Sequence, residues 1–162
     1  TSYKIMVPQK VIEIVKPAES DIPHLTEMVN EFAKRGDFLP RSEEHIRATL
    51  GDWQIARDGD QIIAIGSLLL YGPKLAEVRS LAVTDAAQGT GIGRKLVESL
   101  LVEAKERDIP RVFALTRAVK FFEKVGFEIT DKENFPDKIW KDCSICPLID
   151  ACDETAVQIF TS

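Results

Sequence analysis

A glycine-rich turn between an apolar run and an amphipathic segment constrains this chain more than any other feature. Residues 81–83 are apolar, three glycines fall within residues 89–93, and a helical spacing of apolar residues runs from Arg94 to Arg107. A strand, turn and helix in this order leave several backbone N–H groups at the helix start without an intrahelical acceptor, where they can bind an anion. Glycine also lets the backbone approach a phosphate closely and adopt positive φ at little cost. The run therefore predicts a site for a phosphate-bearing ligand.

The spacing of the glycines excludes two common phosphate-binding motifs. A P-loop requires Gly, four residues and then Gly-Lys-Ser/Thr, whereas here Lys95 is followed by Leu96, so the metal-binding hydroxyl is missing. A dinucleotide-binding turn requires Gly-x-Gly-x-x-Gly in the first strand–helix unit, and this turn lies past the middle of the chain. The pattern that remains is Gln88-x-x-Gly91-x-Gly93.

Composition indicates an ordinary globular protein, which we expect to form a single domain over residues 1–162, with residues 1–10 partly disordered. The chain is 44% apolar and 29% charged, a balance typical of globular domains. Its net charge of −5 disfavours a nucleic-acid partner, which requires a basic surface. No apolar run approaches the roughly 18 residues needed to cross a membrane, and the first residues show no charged-then-apolar signal pattern. We therefore expect no membrane partner and a cytoplasmic location.

Three cysteines lie close together near the end of the chain, at Cys143, Cys146 and Cys152. An odd number in a chain of this type argues against a disulfide framework. A closed structural zinc site needs four ligands, and the two histidines, His24 and His45, lie far away in the sequence. We therefore predict ordinary thiols and no metal site.

Apolar periodicity and turn residues predict a mixed α/β (α+β) fold. Asp58-Gly59-Asp60 indicates a hairpin, Gly72-Pro73 indicates a second turn, and Gly126 ends the last helix. The predicted strands cover residues 11–16, 53–57, 61–71, 75–83, 112–116, 127–130 and 155–160, and the predicted helices cover about 21–36, 42–50, 94–107 and 118–125. This order gives an antiparallel meander followed by a βαβ-like crossover. Residues 132–162 hold the cysteines and the last strand.

The turn and the order of elements together resemble the GNAT acetyltransferase superfamily. Gln88-x-x-Gly91-x-Gly93 matches its (Arg/Gln)-x-x-Gly-x-(Gly/Ala) signature, and the resemblance extends over roughly residues 11–160. It implies the GNAT fold, a mixed and mostly antiparallel central sheet flanked by helices, with acetyl-CoA as co-substrate. The blocks 77–83, 112–116 and 121–127 resemble the amino-acid N-acetyltransferase branch, in its short stand-alone N-acetylglutamate synthase form. The resemblance implies acetylation of an amino acid, foremost glutamate, by direct attack in a ternary complex, as in arginine biosynthesis.

The resemblance further implies that backbone amides hold acetyl-CoA. The end of the strand 75–83 matches the positions where the family binds the acetyl carbonyl and the pantetheine arm, namely Leu81, Ala82 and Val83. The pyrophosphate is expected on the amides of the turn, which are those of Gln88, Gly89, Thr90, Gly91, Ile92, Gly93 and Arg94. Phe121 is expected to pack against CoA or in the core.

Acetyl transfer to an amine also requires a neutral amine and a stabilised oxyanion. Glu77 matches the position of the family's general base and is predicted to act through water, with a surface carboxylate paired to Arg79 as the alternative. Arginine is suited to bind a carboxylate bidentately. Arg79 and Arg117, with the Thr116 hydroxyl, are therefore the predicted glutamate ligands, and solvent-facing arginines are the alternative. Weaker candidates lie in the region of the first two helices, at Lys34, Arg41 and Arg47.

One departure from the family concerns the general acid. Many GNAT enzymes protonate the CoA thiolate with a tyrosine of the 118–124 helix, but the matching residue is Phe122, and neither Tyr3 nor Tyr71 matches. Either the thiolate leaves unassisted, or water or another group serves. Two alternatives stay open: acetylation of another amine, such as a protein N-terminus, a polyamine or a drug, and a non-catalytic CoA-binding module with the cysteines as redox sensor. A homodimer is expected by analogy.

Overall fold

A computed structural model of the chain describes residues 12–36, 39–131 and 154–161. Within these ranges the strands are β1 (Ile12–Val15), β2 (Trp53–Asp58), β3 (Gln61–Leu70), β4 (Leu75–Val83), β5 (Arg111–Thr116), β6 (Glu128–Thr130) and β7 (Thr155–Phe160). The helices of four residues or more are α1 (Ile22–Lys34), α2 (Glu43–Ala48), α3 (Ile92–Glu106) and α4 (Val119–Val125).

The described strands form a seven-stranded mixed sheet in the order β1-β2-β3-β4-β5-β7-β6. Only β4 and β5 pair in parallel, and every other neighbouring pair is antiparallel. The parallel pair follows from the crossover through α3, because a helix between two strands returns the chain to the same end of the sheet. The predicted mixed sheet is thus confirmed. The place of β7, inserted between β5 and β6, is a feature that the element order alone did not specify.

Apolar residues cover both faces of the sheet. On one face, Val97 and Leu100 of α3 and Phe122 of α4 pack on Ala76, Val78 and their neighbours. On the other face, α1 buries residues at helical spacing, and α2 adds one more residue; these are Ile22, Leu25, Val29, Phe32 and Ile46. We refer to the two as the α3 face and the α1–α2 face.

A β-bulge interrupts the pairing of β3 with β4. Ile65 pairs with Ala82 and Ser67 pairs with Arg79, so that Gly66 alone stands opposite two residues of β4, Ser80 and Leu81. Ser80 has a φ of 52°, in the left-handed region that residues other than glycine rarely adopt. The extra residue reverses the alternation of side chains. As a result Leu81 packs on the α3 face and Ala82 on the α1–α2 face.

An ion pair between a buried carboxylate and a partly exposed arginine holds the start of α1 against β2. Asp21 is 8% exposed, and its Oδ2 lies 2.8 Å from Nη2 of Arg57 and accepts a 2.8 Å hydrogen bond from the Ala18 amide. Burial opposes ionisation, but the Arg57 guanidinium and the Ala18 amide outweigh it, so the pKa of Asp21 lies below its ordinary value. The ionised carboxylate therefore stabilises the fold above about pH 4, and this contribution is lost as the pH falls through the depressed pKa.

The substitution Asp21→Asn is expected to lower the free energy of unfolding at neutral pH by about 1–2 kcal/mol, because it leaves the Arg57 charge without its counter-ion. The difference from wild type should shrink as the pH falls below about 4, where the wild-type carboxylate becomes protonated. Urea denaturation from pH 7 down to acid pH measures both effects. Glu106→Gln, which neutralises an exposed carboxyl in the last turn of α3, is the control and should have little effect throughout. A difference that does not vary with pH would contradict the role of the charge.

Candidate active site

The glycine turn leads into α3 with its first amides available to a ligand. Gly89 and Gly91 have φ values of 81° and 85°, and Gly91 is the residue that precedes the helix. The first amides of a helix have no intrahelical acceptor, and glycine before the helix has no side chain that could cap them. These amides are those of Gly91, Ile92, Gly93 and Arg94. The next amide, that of Lys95, bonds to the Gly91 carbonyl at 3.1 Å. The geometry is that of an anion site at a helix start.

Two polar side chains orient the turn, one by a bond to β4 and one by a bond to the preceding residues. The Gln88 amide Nε2 donates to the Val83 carbonyl at 3.3 Å, and Thr90 Oγ1 donates to the Ala87 carbonyl. Gln88 and Thr90 therefore orient the turn through their side chains, while the flanking glycines leave its backbone accessible.

Three elements converge on Gly93 at the start of α3. A Cβ atom there would lie 3.3 Å from Cγ2 of Val83 and 3.4 Å from Cε1 of Phe121. The structure thus brings the end of β4, the glycine turn and Phe121 together, as predicted for a CoA site. Phe122 instead is 4% exposed and packs edge-on against Phe127 at 5.0 Å. A phenylalanine in the core cannot serve as the general acid.

β4 and β5 diverge toward the glycine turn. Their parallel pairing covers Leu75–Glu77 of β4, and the described part of the sheet has no further pair between them. A strand that loses its neighbour leaves N–H and C=O groups on that side without ladder partners. The three residues predicted to hold the acetyl group lie beyond this point; they are Leu81, Ala82 and Val83.

A cleft opens on the α1–α2 face between α2 and the bulge of β4. It is lined by Arg41, His45, Thr49, Asp52, Trp53, Ser67, Leu69, Arg79 and Ser80. Two of these side chains are guanidinium groups and one is an imidazole. Burial raises the pKa of Asp52 above its ordinary value, even though Arg107 and Lys16 oppose this shift. The cleft therefore has an excess of cationic groups and suits an anionic ligand.

Arg41 is fixed in the cleft through its backbone. The Asn30 side chain donates to the Arg41 carbonyl at 2.9 Å and accepts from the Arg41 amide at 3.0 Å. A pair of hydrogen bonds to the backbone of one residue holds this part of the chain against α1, although Arg41 lies outside regular secondary structure.

Glu77 and Arg79 lie next to each other, as strand alternation predicts. Glu77 is 7% exposed, so the surface position that the alternative required is wrong, although its pairing with Arg79 is observed. Its Oε1 lies 3.6 Å from Nε of Arg79 and accepts a 2.9 Å hydrogen bond from the Tyr71 hydroxyl. Since Arg79 also lines the cleft, the buried carboxylate lies beside the cationic cleft.

The other predicted acceptor ligands lie elsewhere in the structure. Thr116 shares the α3 face with Ala114 by strand alternation, and its Oγ1 accepts a 2.8 Å hydrogen bond from the Ala118 amide just before α4. Arg117 is exposed beyond the end of β5. Neither residue lines the cleft, and their role as glutamate ligands stays a prediction.

The weaker candidates Lys34 and Arg47 are exposed. Lys34 pairs with Glu31 at 3.3 Å, and Arg47 pairs with Glu43 at 3.3 Å. Surface pairs of this kind within one helix contribute little to stability. The cysteines Cys143, Cys146 and Cys152 lie outside the described residues.

Sequence reasoning missed three residues that organise the site: Asn30, His45 and Tyr71. The contact between Tyr71 and Glu77 could have been predicted from the sequence. The Gly72-Pro73 turn pairs residue 71 with residue 75, and this pairing makes residue 77 the diagonal neighbour of residue 71 on the same face of the sheet. For Asn30 and His45 the sequence carries no comparable signal, since their positions depend on how α1 and α2 pack.

Among the described residues, none of the helices combines the length and the apolar character that a membrane span requires.

Comparison with known proteins agrees with this geometry. The model of the acetyltransferase (GNAT) family matches residues 11–127. An uncharacterized N-acetyltransferase of Chlorobaculum tepidum is 38% identical over 138 residues, which are 85% of this chain and 89% of that protein. The amino-acid acetyltransferase of Mycobacterium tuberculosis is 30% identical over 120 residues, which are 72% of this chain and 67% of that protein.

A solved structure shares the fold over nearly the whole chain. N-acetylglutamate synthase from Neisseria gonorrhoeae, complexed with coenzyme A and N-acetyl-glutamate, superposes with a TM-score of 0.83 and 22% identity over 95% of this chain. The chain spans 36% of that protein. Since the family model covers more than two thirds of the sequence, and since the sheet is the one expected for that family, the chain belongs to the GNAT acetyltransferases, which transfer the acetyl group of acetyl-CoA to an amine.

Proposed function

We propose that this N-acetyltransferase acetylates the α-amine of an amino acid, and that its acceptor is a dicarboxylic amino acid, glutamate first. The observation that carries the proposal is the position of Arg79, which lines the cationic cleft while its Nε lies 3.6 Å from the buried Glu77 carboxylate. A carboxylate held by this guanidinium would have its own α-amine close to a base. The name of the tuberculosis relative, amino-acid acetyltransferase, supports the same acceptor class.

The cleft also favours an anionic acceptor over a polyamine. The guanidinium groups of Arg41 and Arg79 stand against a single carboxyl, that of Asp52, among the lining residues. A polycationic amine would meet like charges there, whereas the two carboxylates of glutamate would each find a guanidinium. The ligand N-acetyl-glutamate of the Neisseria structure agrees with this choice, and such an activity would serve arginine biosynthesis, as the family resemblance implies.

On the donor side, we propose that the turn amides bind the pyrophosphate of acetyl-CoA and that free amides of β4 bind the acetyl carbonyl. Acetyl-CoA supplies the acetyl group as an activated thioester. The helix-start amides offer partial positive charge to a phosphate, and amides beyond the divergence of β4 and β5 can donate to the oxyanion as it forms. Phe121, beside Gly93, would pack against the bound molecule.

Within this site, Glu77 acts as the general base, directly or through one water. A buried carboxylate that is hydrogen-bonded and next to a guanidinium can stay ionised and accept the proton of an ammonium group. Phe122 supplies no proton, and we propose that the CoA thiolate departs without an acid from α4. Direct attack in a ternary complex needs no covalent intermediate, so no nucleophilic side chain has a part in this mechanism.

A CoA-release assay with acetyl-CoA and each of the twenty amino acids, with a polyamine for comparison, tests the acceptor class. Turnover is expected to be highest with glutamate and next with aspartate, because both carry a second carboxylate. Highest turnover with the polyamine would overturn the proposal and leave the family assignment unchanged.

Arg79→Ala is expected to raise the KM for glutamate by about 10- to 100-fold, since it removes a charge-assisted contact to a carboxylate. The KM for acetyl-CoA should change less than about threefold, because the glycine turn is intact. Steady-state kinetics with each substrate varied in turn separates the two. Arg47→Ala, which removes an exposed arginine outside the cleft, is the matched control. An unchanged glutamate KM in Arg79→Ala would contradict the assignment.

Gly91→Ala is expected to weaken acetyl-CoA binding about 5- to 30-fold, because a φ of 85° strains an L side chain by about 1–2 kcal/mol and shifts the helix-start amides. Isothermal titration measures the affinity. Gly59→Ala, at a φ of 61° in the β2–β3 turn, imposes comparable backbone strain away from the glycine turn and should leave the affinity unchanged. Equal affinities for the two variants would argue against pyrophosphate binding at this turn.

A further inference from the structure

Tyr71 contacts the Glu77 carboxylate through its hydroxyl. It is the last residue before the β3–β4 turn, and its amide donates to the Leu75 carbonyl at 2.8 Å. Its ring centroid lies 5.8 Å from that of Phe113, a residue of β5 with no exposed surface. The backbone and the ring thus fix the phenol, and its hydroxyl reaches Oε1 of Glu77 at 2.9 Å.

The cross-strand partners of Glu77 are both apolar. Its partners across the sheet are Leu69 on β3 and Phe113 on β5, neither of which can carry a charge. The titratable groups that contact it from its own strand and from the preceding turn are Arg79, at 3.6 Å, and Tyr71. Both contacts are made to the same oxygen, Oε1: Tyr71 donates a hydrogen bond to it, and the Arg79 guanidinium forms an ion pair with it.

We propose that Tyr71 is a positioning residue for Glu77: its hydroxyl donates to the ionised carboxylate, fixes its orientation and keeps it ionised at lower pH. The inference rests on the proposed role of Glu77 as general base. A hydrogen bond to the charged form of a buried carboxyl favours that form. Tyr71 lies toward the turn, and the bulge at Ser80 lies on the other side of Glu77 along β4, so the phenol acts through Glu77 and does not protonate the CoA thiolate.

Tyr71→Phe tests the proposal, because it keeps the ring against Phe113 and removes only the hydroxyl. The acid limb of the pH profile of kcat/KM is expected to move up by about one pH unit, since the ionised carboxylate loses a donor. At higher pH the activity should return to within about threefold of wild type. Thr161→Val removes a hydroxyl that bonds the Ile109 carbonyl, remote from Glu77, and should leave the limb in place. An unmoved limb in Tyr71→Phe would overturn the inference.

A double-mutant cycle with Glu77→Gln separates this inference from the proposed function. If Tyr71 acts through Glu77, adding Tyr71→Phe to Glu77→Gln should cause no further fall in kcat. Equal losses in both backgrounds would overturn the positioning role. Full activity of Glu77→Gln alone would instead overturn the base role of Glu77, which is a failure of the proposed function.

A spectroscopic titration tests the hydrogen bond without replacing Tyr71, and so it also decides the matter if Tyr71→Phe does not fold. The chain has only two tyrosines, whose ionisation can be followed by ultraviolet absorbance. A phenol that donates to a carboxylate resists ionisation, so Glu77→Gln should lower the pH at which one of the two tyrosines ionises, by about one unit. Identical titrations of wild type and Glu77→Gln would exclude the bond in solution.

Discussion

The bulge of β4 opposite Gly66 is the constraint on which the site depends. Without the extra residue, strict alternation would point Leu81 into the cleft and Ala82 toward α3, and the packing of both faces would be lost. The bulge lets one strand present Glu77 and Arg79 to the α1–α2 face and then return Leu81 to the core. Glycine at position 66 also lets α3 pack closely on the bulge, since a Cβ there would lie 3.2 Å from Cδ1 of Leu100. The backbone strain of Ser80 at positive φ is thus offset by the packing of Leu81 and Ala82 on the two faces of the sheet.

The end of β4 brings the two halves of the site together. On one side it diverges from β5 and leads into the glycine turn, where backbone amides are offered to the donor. On the other side its side chains line the cationic cleft, where the acceptor would bind. In the proposed function, backbone amides bind the donor and side chains that line the cleft bind the acceptor. Backbone amides at a helix start can be recognised from a short glycine motif, whereas the side chains of the cleft come from separate parts of the chain.

Local patterns predicted most of the fold correctly. Turn residues and apolar periods gave the elements within about two residues, and α3 begins at Ile92, two residues before the predicted start, because Gly91 supplies the left-handed residue before it. The proximity of Glu77 to Arg79 could also be predicted, because residues two apart in a strand lie on the same face. Thr116 shows what such reasoning leaves open: its place at the end of a strand predicts a ligand, a role that stays a prediction, and its hydroxyl also accepts a hydrogen bond from the Ala118 amide just before α4.

The sequence by itself determined the elements, the glycine turn and the family, because these depend on neighbours along the chain: period, turn chemistry and the spacing of small residues. Only the tertiary structure decided which side chains meet in the cleft, where β7 joins the sheet, and that Tyr71 contacts Glu77. These depend on strand register, on a bulge and on the packing of α1 and α2 over the sheet. Register and packing are set by contacts between residues far apart in the chain, and a one-residue slip would reverse the face of every side chain beyond it.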